Sequence, residues 1–122
     1  MSLALLLLGL IACDKPDPLL EELRTLQNET VPPDAMIVEK TNLVRNDQTA
    51  SATWEFETDW DWEKYSTWLN ENIPTGYKRI TAEKTSLQFR RSLLGDVYAI
   101  GIESKKVSDG LRIRVQFSAF PD

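Results

Sequence analysis

The sequence contains no histidine and a single cysteine, Cys13, among 122 residues. The first absence excludes mechanisms built on an imidazole base and metal sites built on imidazole ligands. The second excludes an intrachain disulfide framework and a CxxC zinc site. Aromatic residues are missing from the first 53 positions, so the core is expected in the C-terminal two thirds. A long apolar run is also missing. The longest, Leu3 to Ala12, would rise about 15 Å as a helix, half the roughly 30 Å of a bilayer core, so it cannot span one. The length suits one domain and excludes a multidomain enzyme or a polytopic membrane protein.

What the amino terminus does have is distinctive. Met1 to Ala12 carries no charged side chain. A ten-residue apolar run of this kind fits the hydrophobic region of a secretory signal. The small residue Ala12, the sole cysteine, and then a polar stretch from Asp14 to Pro18 follow it. Only Met1-Ser2, without Lys or Arg, precedes the run, which leaves open a start further upstream. Leu10-Ile11-Ala12-Cys13 resembles the lipobox of bacterial lipoproteins. The resemblance is confined to residues 1–13. It implies diacylglyceryl attachment to the Cys13 sulfur, cleavage after Ala12, and acylation of the new amino group. A partner is thereby implied: a membrane, held through the acyl chains on Cys13. Two or three acyl chains give stable attachment where one gives only marginal binding. Asp14 resembles an inner-membrane retention signal of enteric lipoproteins. Sorting rules differ among bacteria, so inner and outer membrane both stay open. On this reading residues 1–12 are a signal peptide, 13–17 are the lipidated cysteine and a proline-stiffened tether, and 18–122 are a single domain facing the periplasm or the exterior.

Within that domain the periodicity alternates between helical and extended. Asp17-Pro18 has the chemistry of a helix start, and Leu19, Leu23 and Leu26 recur at helical spacing, which predicts a helix over 18–28. Residues 35–45 read as a strand and 46–48 as a turn. Residues 49–58 alternate, with Ala50, Ala52, Trp54 and Phe56 on one side and Ser51, Thr53, Glu55 and Glu57 on the other. A second helix is expected over 60–73, its inner stripe formed by Trp62, Tyr65, Leu69 and Ile73. Strands are expected over 77–82, 86–93, 97–103 and 111–120. The order α-β-β-α-β-β-β-β predicts an α+β fold, an antiparallel sheet of five to six strands with two helices on one face.

Two constellations could carry chemistry. Trp54, Trp60, Trp62 and Trp68 fall within fifteen residues. All but Trp60 lie on or beside apolar faces, so Trp60 is the candidate aromatic contact. Asp59, Asp61 and Glu63 form a D-x-D-x-E run like the start of a calcium loop. The pattern then fails at Lys64, where glycine is needed, and at Asn70, where a bidentate glutamate is needed. Acids at a helix start are expected from the dipole alone.

The second constellation is electrostatic. Residues 14–75 carry a net charge of −9 and residues 76–122 carry +4. Alternation turns Arg90, Arg112 and Arg114 outward. If the last three strands form a meander, Val97, Ala99 and Gly101 make a small-residue floor between them. That face is either solvated, covered by the first helix through Glu21 and Glu22, or a contact for an anionic ligand or partner. Arg91 faces inward by the same alternation and therefore needs a partner or a bulge.

The reading that follows is a small lipid-anchored cell-envelope protein with a non-catalytic binding or accessory role. It uses no cofactor and no metal, and its contact surface is the arginine-lined face. An acidic, exported chain is a poor match for nucleic acid. An alternative is an envelope carbohydrate-binding module or carboxylate-based hydrolase using Trp60, Asp59 and Asp61. Its requirement is that these residues border one concavity. A third is a subunit of a larger assembly, marked by uncovered apolar surface. Oligomeric state is not fixed by any of these features.

Overall fold

A proline whose missing N–H needs no partner and an aspartate that supplies a cap begin the first helix. In the computed structural model, which describes residues 17–122, helix α1 spans Pro18–Thr30. The signal segment, Cys13 and the tether as far as Pro16 lie outside the described residues. The Asp17 carboxylate accepts from the Leu19 N–H at 3.0 Å. Leu23 and Leu26 are buried against the sheet, while Leu20, beside the stripe, is largely exposed. The helix runs two residues past the predicted end because Thr30 is held from three sides. Its Oγ1 donates to the Leu26 carbonyl at 2.7 Å and accepts from Trp54 Nε1 at 2.9 Å. Its own carbonyl accepts from the Tyr65 hydroxyl at 2.7 Å. Val31, which precedes Pro32, is extended, as a residue before proline tends to be, and the helix stops there.

Seven strands follow, where the sequence predicts five to six. They are β1 (Met36–Lys40), β2 (Val44–Asn46), β3 (Thr49–Thr58), β4 (Lys78–Ala82), β5 (Ser86–Leu93), β6 (Asp96–Val107) and β7 (Gly110–Pro121). Helix α2 (Trp62–Asn72) lies between β3 and β4. The extra strand comes from residues 35–45, which break into β1 and β2 along one edge of β3. Thr41 makes the break. Its hydroxyl accepts from the Thr53 N–H at 2.9 Å, a place the backbone ladder would otherwise fill. Every pairing is antiparallel, in the order β1-β3-β7-β6-β5-β4, with β2 also on β3. After β3 the chain crosses through α2 to the far edge, then returns as the predicted meander until β7 pairs with β3.

Both helices pack on one face, as the sequence predicts. The strands present Trp54, Phe56, Ile100, Ile102, Ile113, Val115 and Phe117 there, all essentially inaccessible to solvent. Tyr65 and Leu69 of α2 close over them, with the Tyr65 ring 5.8 Å from that of Phe56. Trp62, at the first turn of α2, is only half-buried, with its ring 5.9 Å from that of Tyr65.

Arg91 does face inward, and it finds its partner. Its Nη1 lies 3.7 Å from Glu22 Oε1 of α1, and its guanidinium stacks 5.6 Å from the Tyr77 ring. The Tyr77 hydroxyl donates to the same Glu22 oxygen at 2.8 Å. Burial first, and then this bond to a carboxylate, raise the Tyr77 pKa far above its ordinary value. Burial alone does the same to Tyr65.

Candidate functional site

The face opposite the helices carries no covering element among the described residues. The pairing register fixes what stands on it. Arg90 of β5 lies across from Ala99 of β6, and Ala99 lies across from Ser118 of β7. One step along, Gln88, Gly101 and Gln116 form the next row. Gln88, Arg90, Ala99, Gly101, Gln116 and Ser118 line a shallow depression of about 220 Å³. The small-residue floor is therefore present. Its walls differ from those expected: arginine stands on one side only, and amide and hydroxyl groups stand on the other.

Arg112 and Arg114 stand further along β7, opposite Lys105 and Glu103 of β6 and opposite Glu57 and Glu55 of β3. Glu55 lies between them. Its Oε2 is 3.2 Å from Arg112 Nε and its Oε1 is 3.9 Å from Arg114 Nε. Arg112 Nε is nonetheless out of hydrogen-bond alignment, so the attraction is one of charge. These two arginines are balanced by their own sheet, and the structure does not bring them together with Arg90. Coverage by α1 does not occur either, since α1 lies on the other face and its Glu22 pairs with Arg91.

Lys78 is the residue that alternation did not single out. On β4 it sits directly across from Arg90, a like-charge pair on neighbouring strands. Neither makes an ion pair among the described residues, whose pairs involve Arg45, Arg91, Arg112 and Arg114. Like charges directly opposed destabilise a sheet. Arg90 is further held by the ring of Phe120, whose centroid is 5.9 Å from its guanidinium carbon. Phe120 in turn pairs across β6–β7 with Val97, which is buried on this otherwise open face. The group is thus a guanidinium beside an aromatic ring and an ammonium opposite it, next to a polar, small-floored depression. Such an arrangement can take a carboxylate, a phosphate or an acidic segment of a partner.

The tryptophan and carboxylate cluster is arranged differently from what a shared cleft requires. Trp60 is half-buried, with its ring edge-on to that of Trp68 at 5.6 Å and with Lys64 Nζ 4.6 Å from its centroid. Asp61 caps α2, accepting from the Lys64 N–H at 2.8 Å. Asp61 and Glu63 line one hollow with Trp68 and Glu71, whereas Asp59 lines another with Asp34, Glu57 and Asp109. Trp60 and the two aspartates do not border one concavity. Among the described residues no group of three or more Cys, Asp or Glu is placed to hold a metal ion.

Among the described residues the large exposed apolar side chains fall at four places, the first being Leu20 on α1. Met36, Ile37, Val38 and Val44 lie on the β1–β2 edge, Ile80 on the bulge of β4, and Leu94 at the β5–β6 turn. No helix among the described residues is long and apolar enough to cross a membrane. No protein-family model, curated protein or solved structure matches this chain.

Proposed function

We propose that this chain is a small lipid-anchored protein of a bacterial cell envelope, tethered through acyl chains on Cys13, whose domain binds rather than catalyses. Its contact surface is the open sheet face, and the ligand is anionic: a carboxylate, a phosphate or an acidic stretch of a partner protein. The observation that carries the contact is the unneutralised pair Lys78 and Arg90 beside the Ala99–Gly101 floor. Arg112 and Arg114 stand outside this contact, because Glu55 already faces both. Support for the anchor comes from the lipobox-like Leu10 to Cys13 and the short tether that follows it. The domain faces the periplasm or the exterior.

Nuclear magnetic resonance titration tests the contact. Inorganic phosphate and a short polyglutamate peptide are added in turn to the isotopically labelled protein. The amides of Gln88, Arg90, Gly101 and Gln116 should shift together, and Arg90→Gln should abolish the response while leaving the spectrum folded. Shifts confined to Arg112 and Arg114 would move the site to the other end of the sheet. Absence of any response to either anion would remove the anionic-ligand reading. Cys13→Ser, followed by membrane fractionation and mass measurement, tests the anchor separately. Acylated protein persisting in that variant would remove it.

A further inference from the structure

Leu94 occupies a position that neither packing nor turn chemistry explains. It begins the two-residue turn Leu94-Gly95 between β5 and β6, with φ 53 followed by φ 87 at the glycine. Hairpin turns with two positive φ values favour Asn or Asp at the first position, because a Cβ in the left-handed region crowds the backbone. A leucine there carries a conformational cost. Its side chain is 95% exposed, so no core contact offsets that cost. A locally unfavourable residue without a packing role marks a surface shaped for an occupant.

The end of the domain that carries this turn is also the end from which the chain leads back to Cys13. Asp17, the cap of α1, lines one hollow of about 310 Å³ together with Asp96, Tyr98 and Phe120. Asp96 is the residue paired with Leu93 across the turn. The Asp122 N–H donates to the Gly95 carbonyl at 2.9 Å and braces the turn from beside. Three residues separate Cys13 from Asp17, and the four Cα steps between them, fully extended, reach about 14 Å. An acylated Cys13 therefore keeps this end near the lipid headgroups. The β6–β7 turn, at the other end of the twelve-residue β6, is about 36 Å away.

The geometry points to Leu94 as a lipid-contact residue: the β5–β6 turn dips into the boundary between headgroups and acyl chains and fixes how the domain stands on the leaflet. This rests on the lipid-anchor reading above. The occupant is a zwitterionic lipid surface. Asp47 and Asp96 border the same hollow, and the one arginine there, Arg45, is paired with Asp17. Those carboxylates are repelled by anionic headgroups, which limits the contact to the tip of the turn.

The test uses the lipidated full chain. With the Cys13 sulfur carrying its diacylglyceryl group, Leu94→Cys supplies the only free thiol, and Ser108→Cys does so at the opposite end. Each is labelled with an environment-sensitive fluorophore and reconstituted into phosphatidylcholine vesicles containing nitroxide-labelled acyl chains. The probe at position 94 should shift to the blue and lose most of its intensity to the nitroxide, while the probe at 108 keeps both. Replacing half of the lipid with phosphatidylglycerol should weaken the effect at 94. Vesicles that carry the protein but leave both probes unquenched, or quench both alike, overturn the proposal and leave the anchor standing. Protein that does not float with the vesicles and has an unmodified Cys13 overturns both.

Discussion

Trp54 donates its indole N–H to the hydroxyl of Thr30 at 2.9 Å, joining the sheet to the last turn of α1 inside the core. Thr30→Val keeps the shape and removes the acceptor, leaving a buried indole N–H unpaired. The expected loss is about 1–3 kcal/mol. That corresponds to a fall in melting temperature of about 4–8 °C for each kcal/mol in a domain of this size. Thr30→Ser keeps the hydroxyl and should lose much less. Urea unfolding followed by tryptophan fluorescence measures both. A loss in Thr30→Val no larger than that in Thr30→Ser would contradict a special role for the hydroxyl.

The three tyrosines give the fold an alkaline limit. Burial raises the pKa of Tyr65 and, with the Glu22 carboxylate adding to it, that of Tyr77. Tyr98 is raised as well, by burial first and then by Asp96 and Glu22, with Arg91 opposing. A phenol with a folded pKa above its unfolded value of about 10 stabilises the fold fully below that pH and progressively less above it, because the unfolded chain gives up its protons first. Stability should therefore be flat in this respect up to about pH 10 and fall beyond it. Tyrosinate absorbance should appear together with loss of the folded circular-dichroism signal. Tyrosinate forming while the domain is still folded would contradict it.

Much of this architecture was legible in the residues. The alternation from Ala50 to Phe56 marks β3, and the same pattern from Leu111 to Phe117 marks β7, because one side of each strand is buried and the other is not. Asp17-Pro18 marks α1 for reasons of capping. The site was less legible. Glu55 and Glu57 were visible as outward residues, but only the crossover through α2 sets β3 beside β7 and places them against Arg114 and Arg112. Strand order is a long-range property that local periodicity does not carry. Lys78 was hidden for a local reason. The bulge between Arg79 and Thr81 interrupts the alternation of a five-residue strand, so its facing cannot be counted off.

Two glycines separate a structural close approach from a ligand floor. A Cβ at Gly110, where φ is +155, would strike the Thr58 carbonyl oxygen and lie 2.9 Å from Asp59 Cα. Gly110→Ala should displace the β6–β7 turn from the end of β3 and cost about 1–3 kcal/mol. At Gly101 an added Cβ meets nothing within 4 Å, although the residue lies in the depression beside Arg90. Gly101→Ala should stabilise the strand by about 0.5–1 kcal/mol, since glycine is the less favourable residue there. Calorimetry of the two variants should move in opposite directions. A gain in stability for Gly101→Ala together with weakened phosphate or polyglutamate shifts would assign the floor to binding.

The like-charge pair on β4 and β5 predicts a trade between stability and contact. Lys78 and Arg90 face each other with no acid to separate them, and Arg90 keeps its position over Phe120 whatever stands at 78. Lys78→Glu turns the repulsion into an attraction and leaves that stacking intact. Opposed unlike charges on neighbouring strands contribute roughly 0.2–1 kcal/mol, so the variant should be more stable than the parent. At low salt the gain should be largest, and it should shrink as ionic strength rises, because both groups are exposed. The same substitution gives Arg90 a resident carboxylate, so the response to added phosphate or polyglutamate should fall. Denaturant midpoints at two salt concentrations, read beside the titration, decide it. A variant that is stabilised yet responds to anions as the parent does would separate Arg90 from the contact and leave the pair a cost to the sheet with no ligand to account for it.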